Sequence, residues 1–276
     1  MPKIALSQGT IYYETHGQGE PLIGLHYGAG STKAWKGQLS AFSRHFTFII
    51  YDRLGHGRSE SRLAYEERYL ENRANELEEL INGLGFDAVR LCGLCEGGAV
   101  ALVFASSFPE RVKALVLQGV GYHSTDQTVT RCEGFFQPWA EIDGDLKRGL
   151  IHHHGDDYAG LLWEAIRDAK HYVWDRTYDV RSRFSKIQSP TLIIGGDRDQ
   201  FFSVAHPMMA YNGIKNAELC IVPGAGHFLN EEAPSVFNQI VMDFLRRKAM
   251  SDPEQSRRQP TADASASDEL TKGSMK

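Results

Sequence analysis

No run of apolar residues in this chain approaches the roughly 20 needed to cross a bilayer. That excludes an integral membrane span of the helical kind. No basic stretch is interleaved with aromatics, and the net charge of −5, with a pI near 6.1, gives no reason to expect nucleic acid or an anionic membrane as a partner. Cysteine is scarce. Cys92, Cys95, Cys132 and Cys220 are the four present in 276 residues, and an acidic chain of this length is expected to keep them as free thiols in the cytoplasm. No signal peptide is visible: MPKIALSQGTIYYETHG alternates apolar and polar residues and reads as strands. Hydrophobic residues, by contrast, make up 42% of the chain, enough to build the core of one sizeable α/β domain or two small ones.

Strand-like and helix-like segments alternate. Residues 3–7 and 10–15 read as a hairpin, and PLIGLHYGAG as a buried strand entering a glycine-rich loop. KAWKGQLSAF reads as a short helix, HFTFIIYD as a strand, and YLENRANELEELINGLGF as a helix with Gly83 and Gly85 as stop signals. AVRLCGL is the next strand, EGGAVALVFASSF a buried helix and KALVLQGVG another strand. The rhythm then stops over 122–186, which is rich in aromatics, histidines and charges. It returns with TLIIGGDRD, AELCIVPGAGH and the closing helix PSVFNQIVMDFLRRKA. Mostly apolar strands alternating with helices predict a parallel sheet covered on both faces. The organisation expected is a core of residues 1–121 and 187–250, a helical cap insertion over 122–186, and a disordered polar tail over 251–276, whose composition cannot bury enough surface to order.

One stretch carries chemistry. In RLCGLCEGGAVALVF the strand ends in Gly93-Leu94-Cys95-Glu96-Gly97-Gly98 and a helix follows. A sharp strand-to-helix turn lifts its side chain clear of the sheet, next to backbone N–H groups able to stabilise an anion, and the crowding demands small neighbours. Nucleophilic catalysis also needs a base, and a third group to orient it. VPGAGHF puts His227 just after the last strand, and GGDRD puts Asp197 and Asp199 just after the preceding one. All these loops fall at the same strand edge, in the order nucleophile, acid, histidine.

The chain resembles the α/β-hydrolases of the lipase, esterase and C–C hydrolase superfamily over roughly residues 3–248. LHYGAG resembles the family's oxyanion loop, YDRLGHGRS its Asp-x-x-Gly-x-Gly-x-Ser signature, GLCEGG the nucleophile elbow, GGDRD the acid loop and GAGH the histidine loop. Two departures stand out. Cysteine replaces the usual serine, which narrows the resemblance towards dienelactone hydrolases, and Tyr27 stands where the family usually has glycine, where its ring would narrow the pocket.

The resemblance implies that Cys95 attacks an acyl carbon, that His227 takes the thiol proton, and that Asp199, rather than the turn-capping Asp197, orients the histidine. It implies an oxyanion hole from the backbone N–H groups of Gly28 and Glu96, with the Glu96 side chain in solvent or facing the cap. No cofactor is called for, and the expected partner is a small acyl substrate. Hydrolysis of an activated ester, lactone or thioester and transfer of the acyl group to another nucleophile both remain open. A binding protein on the same scaffold is a third reading, against which the intact triad argues. Cys92 reads as a core residue rather than the partner of a redox pair, because residues three apart on a strand point to opposite faces. HHHGDD at 152–157 reads as a solvated face rather than a metal site, and His56 as a structural loop residue. Phe135, Phe136, Trp139, Trp163, Tyr172 and Trp174 are expected to divide between core and pocket lining.

Overall fold

The computed structural model describes residues 2–63, 68–169 and 178–250. The strands are β1 Lys3–Leu6, β2 Gly9–His16, β3 Glu20–Leu25, β4 Phe46–Asp52, β5 Val89–Leu94, β6 Val112–Gln118, β7 Thr191–Gly196 and β8 Ala217–Val222. The helices are α1 Leu39–Phe42, α2 Tyr69–Gly83, α3 Glu96–Ser107, α4 Asp126–Phe135, α5 Gly144–His154, α6 Asp156–Asp168, α7 Ala205–Gly213, α8 Leu229–Glu232 and α9 Pro234–Met250. The segment expected as one short helix at KAWKGQLSAF is a 3-10 turn, Thr32–Trp35, followed by α1. Between them Gly37 lies against Pro234, close enough that a Cβ there would sit 3.0 Å from the proline Cβ.

The strands form one sheet in the order β1-β2-β4-β3-β5-β6-β7-β8. β1 and β2 pair antiparallel at one edge, and all pairings from β4 to β8 are parallel. A parallel sheet needs crossovers on its faces, so its strands are buried on both sides. On β4, Ile49 and Tyr51 pack into one core while Phe48 and Ile50 pack into the other; on β5, Leu91 and Cys92 divide the same way. Cys92 is thus the core residue its place on the strand implied. α3 is apolar nearly all round, as a helix with no solvent face must be, and lies against α2, β5 and β6. Fully burying one of its larger side chains, such as Leu102, contributes on the order of 1.5–3 kcal/mol.

The strand order places the site. The chain leaves β3 for β4 on one side and returns to β5 on the other. The loop after β3 and the turn after β5 therefore flank a crevice at the strands' C-terminal ends, where open α/β sheets bind ligands. Between β6 and β7 lie α4, α5, α6 and a 3-10 turn, Arg181–Lys186. Backbone bonds from Ser124 to the Tyr178 carbonyl and from Val180 to the Tyr122 carbonyl, both 2.9 Å, tie the two ends of this segment together. The tail expected to be disordered, along with Tyr172 and Trp174, lies outside the described residues.

Candidate active site

Cys95 is the turn between β5 and α3, with φ 50° and ψ −116°. An L-residue adopts that backbone only where the surroundings impose it. The packing leaves no alternative. A Cβ on Gly93 would lie 2.5 Å from the Gly98 Cα, and one on Gly97 would collide with the carbonyls of Leu25 and His26. Cys95 does not cap α3 with its side chain, so the thiol is left for the cavity it lines.

His227 and Asp199 meet across two loops. The His227 Nδ1 lies 2.8 Å from Asp199 Oδ2, and both side chains are almost wholly buried. The other carboxylate oxygen, Oδ1, accepts the backbone N–H groups of Phe201 and Phe202 at 2.8 and 2.9 Å. Burial alone would raise the Asp199 pKa; the imidazole and the two N–H donors outweigh it and hold the carboxyl below its ordinary value. Asp197 is elsewhere. It is turned outward, and its Oδ1 accepts the Gly224 N–H at 2.6 Å, closing the turn after β8.

The His227 backbone is gripped on both sides: Gln118 donates to its carbonyl at 2.5 Å and its N–H donates to Gln200 at 3.2 Å. Phe201, Phe228 and Phe202 surround the ring, with centroids at 4.7, 5.0 and 5.7 Å. Nε2 is left free of the acid, and the ring lines the cavity that Cys95 also lines. Burial works against charging the ring, but its interactions with the Cys95 side chain and the Asp199 carboxylate together hold its pKa up to about 10. An imidazole so placed can take a thiol proton and keep it.

The loop after β3 presents Gly28 to the same cavity. Its four successive carbonyls are each held by a side chain. Arg53 Nη1 donates to His26 O at 2.5 Å, His26 Nδ1 to Tyr27 O at 2.7 Å, His56 Nε2 to Gly28 O at 2.6 Å and His154 Nε2 to Ala29 O at 2.9 Å. In His26 and His154 the other ring nitrogen accepts a backbone N–H, from Arg53 at 3.2 Å and from Gly57 at 3.0 Å, which requires those two rings to be neutral. Burial first, and the nearby Arg53 charge second, keep His26 and His56 well below the ordinary histidine range. His56 is thus a structural residue of the loop.

One expectation fails and another holds only in part. The Glu96 side chain is neither solvated nor turned to the cap. It is buried, and its Oε1 accepts from Arg53 at 2.8 Å and from the Tyr69 hydroxyl at 3.0 Å. The pairing was hidden because Arg53 is 43 residues away in the sequence. HHHGDD is a solvated face only in part: His152, Gly155, Asp156 and Asp157 are exposed, but His153 and His154 turn inward onto the loop after β3. His153 bonds Ser31 at 2.8 Å and the Tyr27 hydroxyl at 3.1 Å; His154 accepts from the Gly57 N–H at 3.0 Å. Tyr27 also donates to Glu231 at 3.0 Å and packs edge-on to Phe228, so its ring does form part of the cavity wall. Among the described residues no group of three or more His, Cys, Asp or Glu is placed to hold a metal ion.

The cavity measures about 620 Å³, within the range of small-molecule sites. From α4–α6 and their connections it is walled by Cys132, Phe135, Phe136, Ile142, Leu150 and Trp163. Trp139 is not in the wall; it lies against Gly160 of α6.

The family model described as the alpha/beta hydrolase fold matches residues 20–148. The chain has the α/β-hydrolase fold. A 2-hydroxy-6-oxo-6-phenylhexa-2,4-dienoate hydrolase of Comamonas testosteroni is 28% identical over 88% of this chain and 93% of its own. The human serine hydrolase BPHL is 25% identical over 88% and 86%. The solved enol-lactonase of Burkholderia xenovorans LB400 superposes with a TM-score of 0.70 at 20% identity, covering 89% of this chain and all of that one. These matches support a place in the α/β-hydrolase superfamily as a hydrolase, and no helix among the described residues is long and apolar enough to cross a membrane.

Proposed function

We propose that the protein hydrolyses an activated ester, lactone or thioester through an acyl-cysteine intermediate on Cys95, His227 and Asp199. The observation that carries this reading is the His227 ring. One nitrogen is fixed on a buried carboxylate, and the ring lines the same cavity as Cys95. In this reading His227 takes the thiol proton and the thiolate adds to the acyl carbon. The oxygen charge that develops falls to the N–H groups of Gly28 and Glu96. The imidazolium then gives its proton to the departing alkoxide or thiolate, and neutral His227 activates water to release the acid. Asp199 fixes the tautomer and steadies the imidazolium.

A second reading is hydrolysis of a carbon–carbon bond, favoured by the likeness to the dienoate hydrolase of Comamonas testosteroni. Intact mass spectrometry after incubation with a panel of aryl esters, lactones and acyl thioesters tests the first reading. An acyl mass added at Cys95 and removed on further incubation is expected. Turnover of a dienoate with no adduct on any ester, lactone or thioester would overturn the first reading in favour of the second.

A further inference from the structure

We propose that Arg53 is a positioning residue for the oxyanion hole, aiming the Gly28 N–H through the peptide that carries it. The inference rests on the acyl-cysteine reading above. It starts from the planarity of one peptide bond. The Tyr27 carbonyl and the Gly28 N–H belong to the same trans peptide unit, so they point in opposite directions and turn together. Arg53 Nη2 donates to the Tyr27 carbonyl at 3.2 Å, while His26 holds the same oxygen at 2.7 Å. Drawing that oxygen inward sends the Gly28 N–H outward, and Gly28 lines the cavity.

The same guanidinium reaches the other half of the hole. Its Nη2 also donates to Glu96 Oε1 at 2.8 Å, and Glu96 is the residue whose N–H follows Cys95. That second peptide is fixed by the helix, because the Cys95 carbonyl accepts the Ala99 N–H at 3.0 Å. Arg53 therefore spans the loop after β3 and the first residue of α3, and sets the spacing between two donors that must converge on one oxygen. A planar fork holds two carbonyls and a carboxylate in one fixed geometry; an ammonium on a flexible stem has donors for them but no fixed spacing. The arrangement is costly to bury. The Arg53 side chain is 0% exposed and that of Glu96 6%. A buried pair of this kind is a poor source of stability, which fits a role in geometry.

The test separates oxyanion binding from thiol reactivity. 3-Phenylpropanal adds reversibly to a thiolate: sulfur bonds to the carbonyl carbon, the π pair moves onto oxygen, and that oxygen sits in the hole. Iodoacetamide alkylates the same sulfur with loss of iodide and develops no oxyanion. In Arg53→Lys we expect aldehyde affinity and kcat to fall about 10- to 100-fold, short of the roughly 100- to 1000-fold seen when a donor is removed outright. KM and the rate of iodoacetamide alkylation at Cys95 should not change. Glu96→Gln keeps an oxygen for Arg53 and Tyr69 without the charge. It should show the same split with a smaller loss, and it serves if Arg53→Lys does not fold. Parallel loss of aldehyde binding and alkylation would mark Arg53 as merely structural, and unchanged aldehyde binding would also overturn the inference. A wild type that is alkylated at Cys95 but binds no aldehyde would remove the acyl-cysteine reading and this inference with it.

Discussion

The core rim and the helices between β6 and β7 face each other across one cavity, yet they are built differently. On the core side, every group placed to do chemistry is over-determined: four loop carbonyls are held by side chains, Asp199 by two N–H donors and an imidazole, and Cys95 by glycines that admit no larger neighbour. On the cap side the wall is Phe135, Phe136, Ile142, Leu150 and Trp163, held largely by packing. Hydrogen bonds are directional and fix an atom's position; dispersion contacts fill volume and tolerate exchange. The rim is therefore suited to setting a reaction, and the cap to choosing what enters it.

If that division holds, the largest losses must come from the rim. Cys95→Ala should lower kcat/KM on the order of ten-thousand-fold or more and abolish the acyl adduct. Cys92→Ala, which only thins the core, should keep the adduct at some cost in Tm. An adduct mapped to Cys132, the cap thiol in the same cavity, would break the comparison outright. Asp199→Asn should come next. It leaves His227 without the charge that steadies the imidazolium, and kcat should fall about 1,000- to 10,000-fold. Asp197→Asn loosens only the Gly224 turn and should leave kcat nearly unchanged. Steady-state kinetics on one ester serve for both, and the reverse ranking would assign the acid to the wrong loop.

The rim was also the more legible half in the sequence, for a physical reason. Gly93, Gly97 and Gly98 are demanded by contacts within a few residues of the elbow or with the adjacent strand end, so the local pattern announces the turn. His227 and Asp199 each follow a strand that ends at the same edge, so strand order alone brings them together. Glu96 was misread because its partners, Arg53 and Tyr69, come from two distant elements. His153 was misread for the same reason: three histidines in a row look solvated until the helix carrying them is docked on the loop after β3. Nothing in the local spacing distinguishes Trp163, in the cavity wall, from Trp139, which packs behind it.

That last pair sharpens the comparison on the cap side. Trp163 stacks on Phe136 at 4.9 Å and meets Phe135 edge-on at 5.9 Å, so it shapes the wall. Trp163→Leu should change relative kcat/KM between short aliphatic and aryl acyl esters by about 10- to 200-fold. Trp139→Leu should change it far less. In both variants iodoacetamide should still alkylate Cys95 at the wild-type rate. Equal effects from the two tryptophans would mean that the cavity wall is not what selects the acyl group.

The smallest effect is expected at the seam, where α5 meets the loop after β3. His153 accepts from Ser31 through one nitrogen and donates to Tyr27 through the other, which requires a neutral ring. Burial, with help from His154, His152 and Lys33, pushes its pKa down to about 3. In the unfolded chain the same ring titrates near 6.5. Between those values the unfolded state binds a proton that the folded state refuses, so stability falls as pH drops from about 6.5 towards 3. His26, His56 and His154 are depressed in the same direction and add to the slope. His153→Gln keeps a donor and an acceptor and cannot titrate. Its Tm should therefore fall less steeply than the wild type's between pH 6.5 and 4, by about 2–4 °C for each kcal/mol of linkage removed. Parallel Tm curves for the two proteins would show that His153 charges in place, and that the contact between cap and loop survives its protonation.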